Sequence, residues 1–209
     1  MPAYKLVIFD FDGTLGDTMG WFLDTSDAMA DKFGYLKVDR SRLDTLRHLS
    51  ARELMKVQKL PALKMPMIAA HFHKLMAQDA ASIRMFDGAA EVLRGLHAAG
   101  VKLAVVSSNT EANIRVVLGE ELSGLVSQFA CGASVFGKAS KFRRVLKTHG
   151  VAAAQALSIG DEIRDIDAAR DVGLGVGVVC WGYTAPEALK AQSPDHVFAT
   201  PADIVAQLV

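Results

Sequence analysis

Short, nearly continuous apolar runs separated by amphipathic stretches constrain this chain more than any other feature. Residues 4–9 (YKLVIF), 101–106 (VKLAVV), 156–159 (ALSI) and 174–179 (LGVGVV) are such runs. Runs without polar alternation suit strands whose two faces are both covered by helices, as in a parallel sheet. Helical patterns over residues 88–99 and 138–149 stop at Gly100 and Gly150, where glycine suits the turn that closes a helix. The order predicts an α/β fold, a doubly wound parallel sheet with its ligand crevice at the carboxyl ends of the strands.

One stretch interrupts the alternation. Between residues 17 and 83 no apolar run reads as a strand, while Met19, Phe22, Leu23, Met29, Ala30 and Phe33 share a helical face opposite Asp24, Asp27 and Asp31. Gly34 ends that helix. Ile68, Phe72, Leu75 and Met76 repeat the helical stripe after Pro61 and Pro66. The expectation is a discontinuous α/β core, residues 1–16 and 84–209, with an inserted helical subdomain over 17–83.

Composition narrows the class of function. The 209 residues carry 23 basic and 23 acidic side chains, a balance unlike that of a strongly cationic nucleic-acid or membrane-surface protein. Neither nucleic acid nor a membrane is therefore expected as a partner. Residues 6–9 are too few for the apolar region of a secretory signal, and no run is long enough to span a bilayer. Cys131 and Cys180 are too few and too distant in sequence for a disulfide framework. Together these features predict a cytoplasmic setting.

Two acidic pairs carry the chemistry. Asp10 and Asp12, in DFDGTL directly after the first apolar run, can aim oxygens into one crevice while Gly13 turns the chain away. A bare D-x-D also serves as an ordinary acidic turn. Asp161 and Asp165, in GDEIRD after another strand, are one helical turn apart, with Asp161 expected at the start of a helix. Alone, they would read as a cap and a solvated charge. Carboxylates gathered in one crevice resist ionisation unless a cation joins them, and an all-oxygen donor set favours Mg²⁺.

Ser107, Ser108 and Asn109 follow a strand and are expected to open a helix, offering hydroxyl, amide and backbone N–H donors to an anion. Simple capping would explain them equally well. Lys138 precedes a helix expected to begin near Ala139, where its ammonium could neutralise a phosphoryl oxygen. It also belongs to a basic run with Lys141, Arg143, Arg144 and Lys147, and such runs are commonly solvated.

In combination these residues resemble the haloacid dehalogenase-like hydrolases, and within them the phosphoglycolate phosphatase-like branch. The family motifs occur in order as DFDGTL at 10–15, VVSSN at 105–109, Lys138 and GDEIRD at 160–165. The tail, WGYTAPEAL at 181–189 and PDHVFATPADI at 194–204, resembles the same branch. The resemblance implies a Rossmann-like core with a small helical cap, and a phosphatase of a small phosphorylated metabolite, with 2-phosphoglycolate as a candidate. It implies that Asp10 is the nucleophile, forming an aspartyl-phosphate, and that Asp12 is the general acid and base. It further implies that the Asp10 carboxylate, the Asp12 carbonyl and Asp161 hold Mg²⁺, steadied by Asp165, while Ser107 and Lys138 bind the phosphoryl group. Ser108, Asn109 and the cap residue Arg52 are candidates for substrate binding.

The third motif departs from its usual Lys-Pro, reading Lys138-Ala139, so Lys141 is a rival for the lysine role. Gly16 stands where the branch often has a larger aliphatic residue. Asp12 speaks against dehalogenase and phosphonatase chemistry, whose enzymes lack this second aspartate, and Phe22 stands where similar sugar-phosphate mutases place a histidine. Pyrophosphate hydrolysis or another phosphotransfer needs the same core and remains an alternative. A non-catalytic phosphate-binding regulatory module is the alternative from another class, disfavoured by the intact acidic set. Gly173, Gly175 and Gly177 lead into a strand and so lack the context of a dinucleotide loop. His71 and His73 point to different sides of a helix. The expected assembly is a monomer or homodimer.

Overall fold

The computed structural model describes residues 3–132 and 137–209. The chain opens with β1 (Leu6–Phe9) and the short β2 (Gly16–Asp17), then enters helices α1 (Met19–Phe33), α2 (Leu43–Leu46), α3 (Ala51–Val57) and α4 (Met65–Asp79). It returns through β3 (Arg84–Met85), α5 (Ala89–Ala98), β4 (Lys102–Val106), α6 (Glu111–Leu125), β5 (Val126–Ala130) and α7 (Gly137–His149). The last part runs β6 (Ala156–Gly160), α8 (Ile163–Val172), β7 (Gly175–Val179), α9 (Pro186–Lys190), β8 (His196–Phe198) and α10 (Pro201–Leu208). No helix among the described residues is long and apolar enough to cross a membrane.

Six strands form one sheet in the order β5-β4-β1-β6-β7-β8, with every neighbouring pair parallel. The α/β, doubly wound architecture is as the apolar runs implied. Strand pleating sends alternate residues of β1 to opposite faces. Val7 and Phe9 join Val92 and Leu96 of α5, Ile114 of α6 and Ile204 of α10 in one apolar layer. Leu6 and Ile8 join Phe142 and Val145 of α7, Ile166 and Ala169 of α8 and Leu189 of α9 in the other. All four β1 residues are fully buried, which is why no polar residue appears between Leu6 and Phe9.

The strands beside β1 leave it in opposite directions through the chain, β4 on one side and β6 on the other. That reversal opens a crevice at the carboxyl end of β1, where Asp10 begins. Two strands of this sheet escaped the sequence reading, β5 and β8, as did the two-residue β2 and β3 outside it. Both β5 and β8 lie at sheet edges, and β5 mixes buried Val126 and Ala130 with exposed Ser127, so neither shows a continuous apolar run.

The helices α1 to α4 lie between β2 and β3, which pair antiparallel through Gly16 with Met85 and Asp17 with Arg84. The segment thus leaves and rejoins the chain through a two-stranded ribbon. Its own core is Met29, Phe33 and Ile68, with Tyr35, Met65, Phe72 and Leu75 packed around them. Gly34 ends α1 with a left-handed φ of 76°, and its N–H donates to the Ala30 carbonyl.

Candidate active site

The crevice at the end of β1 gathers the acidic motifs. Asp10 Oδ1 accepts a hydrogen bond from the Phe11 N–H at 2.8 Å, and Asp10 Oδ2 lies 2.7 Å from Lys138 Nζ. Lys138 Nζ also donates to Asp165 Oδ1 at 2.5 Å, so one ammonium bridges two buried carboxylates. Lys138 stands in the first turn of α7, which begins at Gly137, slightly earlier than the sequence suggested. Lys141 takes a different position: its Nζ donates to the Ser107 carbonyl at 2.7 Å and to the Gly132 carbonyl. It braces the loop after β4 and touches neither acidic pair among these contacts.

Asp161 is fully buried. Its Oδ1 accepts from the Thr14 hydroxyl at 2.8 Å and its Oδ2 from the Tyr183 N–H at 2.8 Å. The sequence reading put Asp161 at the start of α8, but Glu162 is the capping residue and Asp165 closes the first turn by accepting from the Glu162 N–H at 3.3 Å. Asp161 is thereby free of the cap and faces the crevice. Gly13 makes the approach possible. It holds a left-handed φ of 75°, and a Cβ there would overlap the Asp161 carboxylate and the Tyr183 ring.

Asp12 faces the loop after β4. Asn109 Nδ2 donates to its carboxylate at 3.2 Å and 3.3 Å, and the Ser107 hydroxyl approaches at 3.5 Å. The Ser107 hydroxyl accepts from the Asn109 N–H at 3.0 Å. Neither residue caps α6. Thr110 does so, its hydroxyl accepting from the Asn113 N–H, which leaves Ser107 and Asn109 to the crevice. Ser108 is exposed and lines the opening.

Burial dominates the electrostatics. It raises the Asp10 carboxyl above its ordinary range in spite of the Lys138 ammonium, and it raises Asp161 well above, helped by Glu162 and Asp10. Asp12 is pushed up to about 7, first by burial and then by the Asp10 charge. Burial depresses Lys138, but Asp10 and Asp165 outweigh it and hold the ammonium above its usual range. Carboxylates so crowded keep their charge only with a cation nearby. One oxygen from each of Asp10, Asp161 and Asp165 lies within 4.8 Å of the others, all three residues being buried, and this all-oxygen set fits a divalent metal ion.

Above the crevice, α1 to α4 and the loop after β7 enclose a cavity of about 320 Å³, lined among others by Asp12, Phe22, Arg47, Phe72, Ser108 and Tyr183. Arg52 does not line it. Its side chain is exposed, because the inward positions of α3 are Ala51, Leu54 and Met55. Arg47 occupies the wall instead, donating from Nε to the Tyr183 carbonyl at 3.0 Å and from Nη2 to the Gly182 carbonyl at 2.9 Å. Thr14, Arg47 and Tyr183 were missed as site residues. For Tyr183 the signal was the WGYT run after β7; Arg47, in a polar helical stretch, had none. His71 and His73 do not meet as a pair: Lys32 Nζ hydrogen-bonds to the His71 ring, whereas His73 lines an adjoining cavity. Cys131 is raised to about 11, chiefly by burial, and is no thiolate nucleophile.

Comparison with known proteins agrees with this geometry. A family model described as haloacid dehalogenase-like hydrolase matches residues 7–179. The phosphoglycolate phosphatase of Synechococcus elongatus is 30% identical over 202 residues, covering 96% of this chain and 95% of its own. A haloacid dehalogenase-like hydrolase of Streptococcus pneumoniae superposes with a TM-score of 0.81 at 18% identity, over 98% of each chain. CbbY of Rhodobacter sphaeroides, solved in complex with phosphate, has a TM-score of 0.76 at 21% identity over 96% of each chain. With most of its length matched by the family model and a parallel sheet presenting the motif residues in one crevice, the chain belongs to the haloacid dehalogenase-like hydrolases.

Proposed function

We propose that this chain is an Mg²⁺-dependent phosphate-monoester hydrolase of a small phosphorylated metabolite. The observation that carries the reading is the placement of Asp10 and Asp12 side by side at the end of β1, with Lys138 on the first and Asn109 on the second. In the first step an Asp10 oxygen bonds to phosphorus as the bond from phosphorus to the leaving oxygen breaks. Asp12 delivers its proton to that oxygen. In the second step a water oxygen bonds to phosphorus, its proton passes to Asp12, and the bond to Asp10 breaks, restoring the carboxylate and releasing inorganic phosphate.

Without metal, burial first and the Asp10 charge second raise the Asp12 carboxyl, and burial, which metal binding does not remove, favours the protonated form that gives a proton to the leaving oxygen. Ser107 and Lys138 bind the phosphoryl oxygens, and Ser108 and Asn109 border the substrate. Mg²⁺ would be held by the Asp10 carboxylate, the Asp12 carbonyl and Asp161, steadied by Asp165, and its charge would let an anionic phosphoryl group approach a carboxylate. Residues 17–83 act in this reading as a cap on a core of residues 1–16 and 84–209, a role supported by the β2–β3 ribbon at their junction. The same proposal places the enzyme in the cytoplasm, supported by its two free cysteines.

Purified protein with MgCl₂ and p-nitrophenyl phosphate tests the reading, with 2-phosphoglycolate, named in the Synechococcus relative, as the reference metabolite. Asp10→Asn is expected to abolish turnover by removing the nucleophile. Full metal-dependent activity in that variant would overturn the mechanism.

A further inference from the structure

Beside Asp12 the space for a leaving group is large and its walls are mostly carbon. The cavity of about 320 Å³ is lined by Trp21 and Phe22 of α1, Leu54 and Met55 of α3, and Phe72 of α4. A second cavity of about 300 Å³ shares Phe22, Leu60 and Phe72 with the first and continues toward Met29, Met65 and Ile68. The aromatic wall is ordered by its own packing: Phe72 meets Trp21 edge to face with ring centroids 4.8 Å apart, and Phe22 meets Tyr183 at 5.8 Å. Cavities of this size and lining are typical of sites that enclose an apolar ligand body.

Gln58, Ser108 and Thr184 add uncharged polar groups to the wall, but the charged groups are few and already paired. Among the described residues, Arg47 and Arg164 are the arginines or lysines lining the two cavities. Arg47 is spent on the Gly182 and Tyr183 carbonyls, and Arg164 Nη2 donates to Glu162 Oε1 at 2.5 Å. Burial lowers the pKa of the His73 ring, which favours its neutral form. A carboxylate on the leaving group would have to compete with Glu162 for Arg164. A two-carbon leaving group would leave much of the first cavity to water, and on the side formed by Trp21, Phe22, Leu54, Met55 and Phe72 that water meets mostly carbon.

We propose that the substrate's leaving alcohol carries an uncharged, apolar body of about six or more carbon atoms, a straight chain or an aromatic ring, seated between α1, α3 and α4. The proposal rests on the phosphatase reading above and narrows its substrate class. The reacting end stays at Asp10 and Asp12, while the body displaces the poorly bonded waters. Burying each methylene contributes about fourfold to kcat/KM until the cavity is full.

The test uses the full chain with Mg²⁺ and a series of n-alkyl monophosphates from methyl to octyl, with phenyl phosphate and 2-phosphoglycolate alongside. The expected result is a rise in kcat/KM of about threefold to fourfold per methylene through at least hexyl, with hexyl phosphate exceeding 2-phosphoglycolate by at least about tenfold. A flat series, or 2-phosphoglycolate as the best substrate, would overturn the proposal and leave the phosphatase reading intact. Turnover of none of these esters would instead remove the phosphatase reading, and the proposal with it. Leu54→Arg gives a second measure: with a free guanidinium in the wall, the ratio of hexyl phosphate to 2-phosphoglycolate activity should fall at least about tenfold, and an unchanged ratio would count against the placement.

Discussion

Arg47 and Tyr183 link the helical segment to the acidic crevice across the loop after β7. Arg47 Nε donates to the Tyr183 carbonyl at 3.0 Å, while the Tyr183 N–H donates to Asp161 Oδ2 at 2.8 Å. The Arg47 carbonyl also accepts from the Ala185 N–H at 2.8 Å, so both sides of the contact are bonded to backbone. A movement of α2 is therefore felt at a buried carboxylate. Arg47→Ala is expected to raise KM by about tenfold and to make residues 19–82 more susceptible to limited proteolysis, since charged donors to buried carbonyls contribute about 1.5–3 kcal/mol each. Arg47→Lys should recover little, because an ammonium lacks the planar fork that reaches both carbonyls. Unchanged kinetics and proteolysis in Arg47→Ala would show the contact to be incidental.

The two lysines of the third motif should separate on substitution. Lys138 lies 2.7 Å from Asp10 Oδ2, whereas Lys141 holds the Ser107 and Gly132 carbonyls. Lys138→Met is expected to lower kcat by about 10²–10³, the usual effect of removing a charge that stabilises a transferring phosphoryl group. Lys141→Met should act mainly on thermal stability, read by a melting curve beside the rate. A larger kcat loss for Lys141→Met than for Lys138→Met would reverse the assignment.

Asp12 is expected to matter in proportion to how much its proton is needed. Its carboxyl is pushed up to about 7 and faces Asn109 and Ser107. Asp12→Asn should cost about 10²–10⁴ in kcat with an alkyl phosphate, whose alkoxide leaves poorly unprotonated. With p-nitrophenyl phosphate, which releases a stable anion, the loss in the first chemical step should be much smaller, visible as a burst of nitrophenol. Equal loss in the burst rate for both esters would exclude Asp12 as the acid.

Stability without metal should fall as the pH rises. Asp12 titrates in the folded protein at about 7, above its unfolded value of about 3.9. A raised carboxyl contributes stability that is fully present below the unfolded pKa and is lost as pH climbs through the folded one. Asp10 and Asp161 are raised as well and add in the same direction. Melting temperatures in EDTA should therefore decline between about pH 4 and pH 8 from this source, and Asp12→Asn should flatten the decline. Added Mg²⁺ should restore more stability at pH 8 than at pH 5, because it binds the ionised carboxylates. A metal effect independent of pH would contradict the crowding of carboxylates as its cause.

The sequence by itself determined the class of fold. Fully buried strands need apolar side chains on both faces, so β1, β4, β6 and β7 are visible as continuous runs, whereas the edge strands β5 and β8 keep polar positions and vanish into the background. The acidic residues could be named as candidates from their places, Asp10 and Asp12 just after one strand and Asp161 just after another, but it took the motifs in combination to separate them from ordinary turn and cap residues.

Only the tertiary structure decided what those residues touch. Lys138 and Lys141 are equivalent members of one basic run until α7 packs beside α8, which brings Lys138 to Asp165 and turns Lys141 to the loop after β4. Likewise Arg47 and Arg52 are indistinguishable as helical arginines. The direction in which α3 buries Ala51, Leu54 and Met55 leaves Arg52 in solvent, while Arg47 meets the loop after β7 from more than a hundred positions away in sequence. Local patterns set which face of a helix is apolar. The meeting of distant polar groups depends on how those faces pack, and a linear pattern carries no record of that.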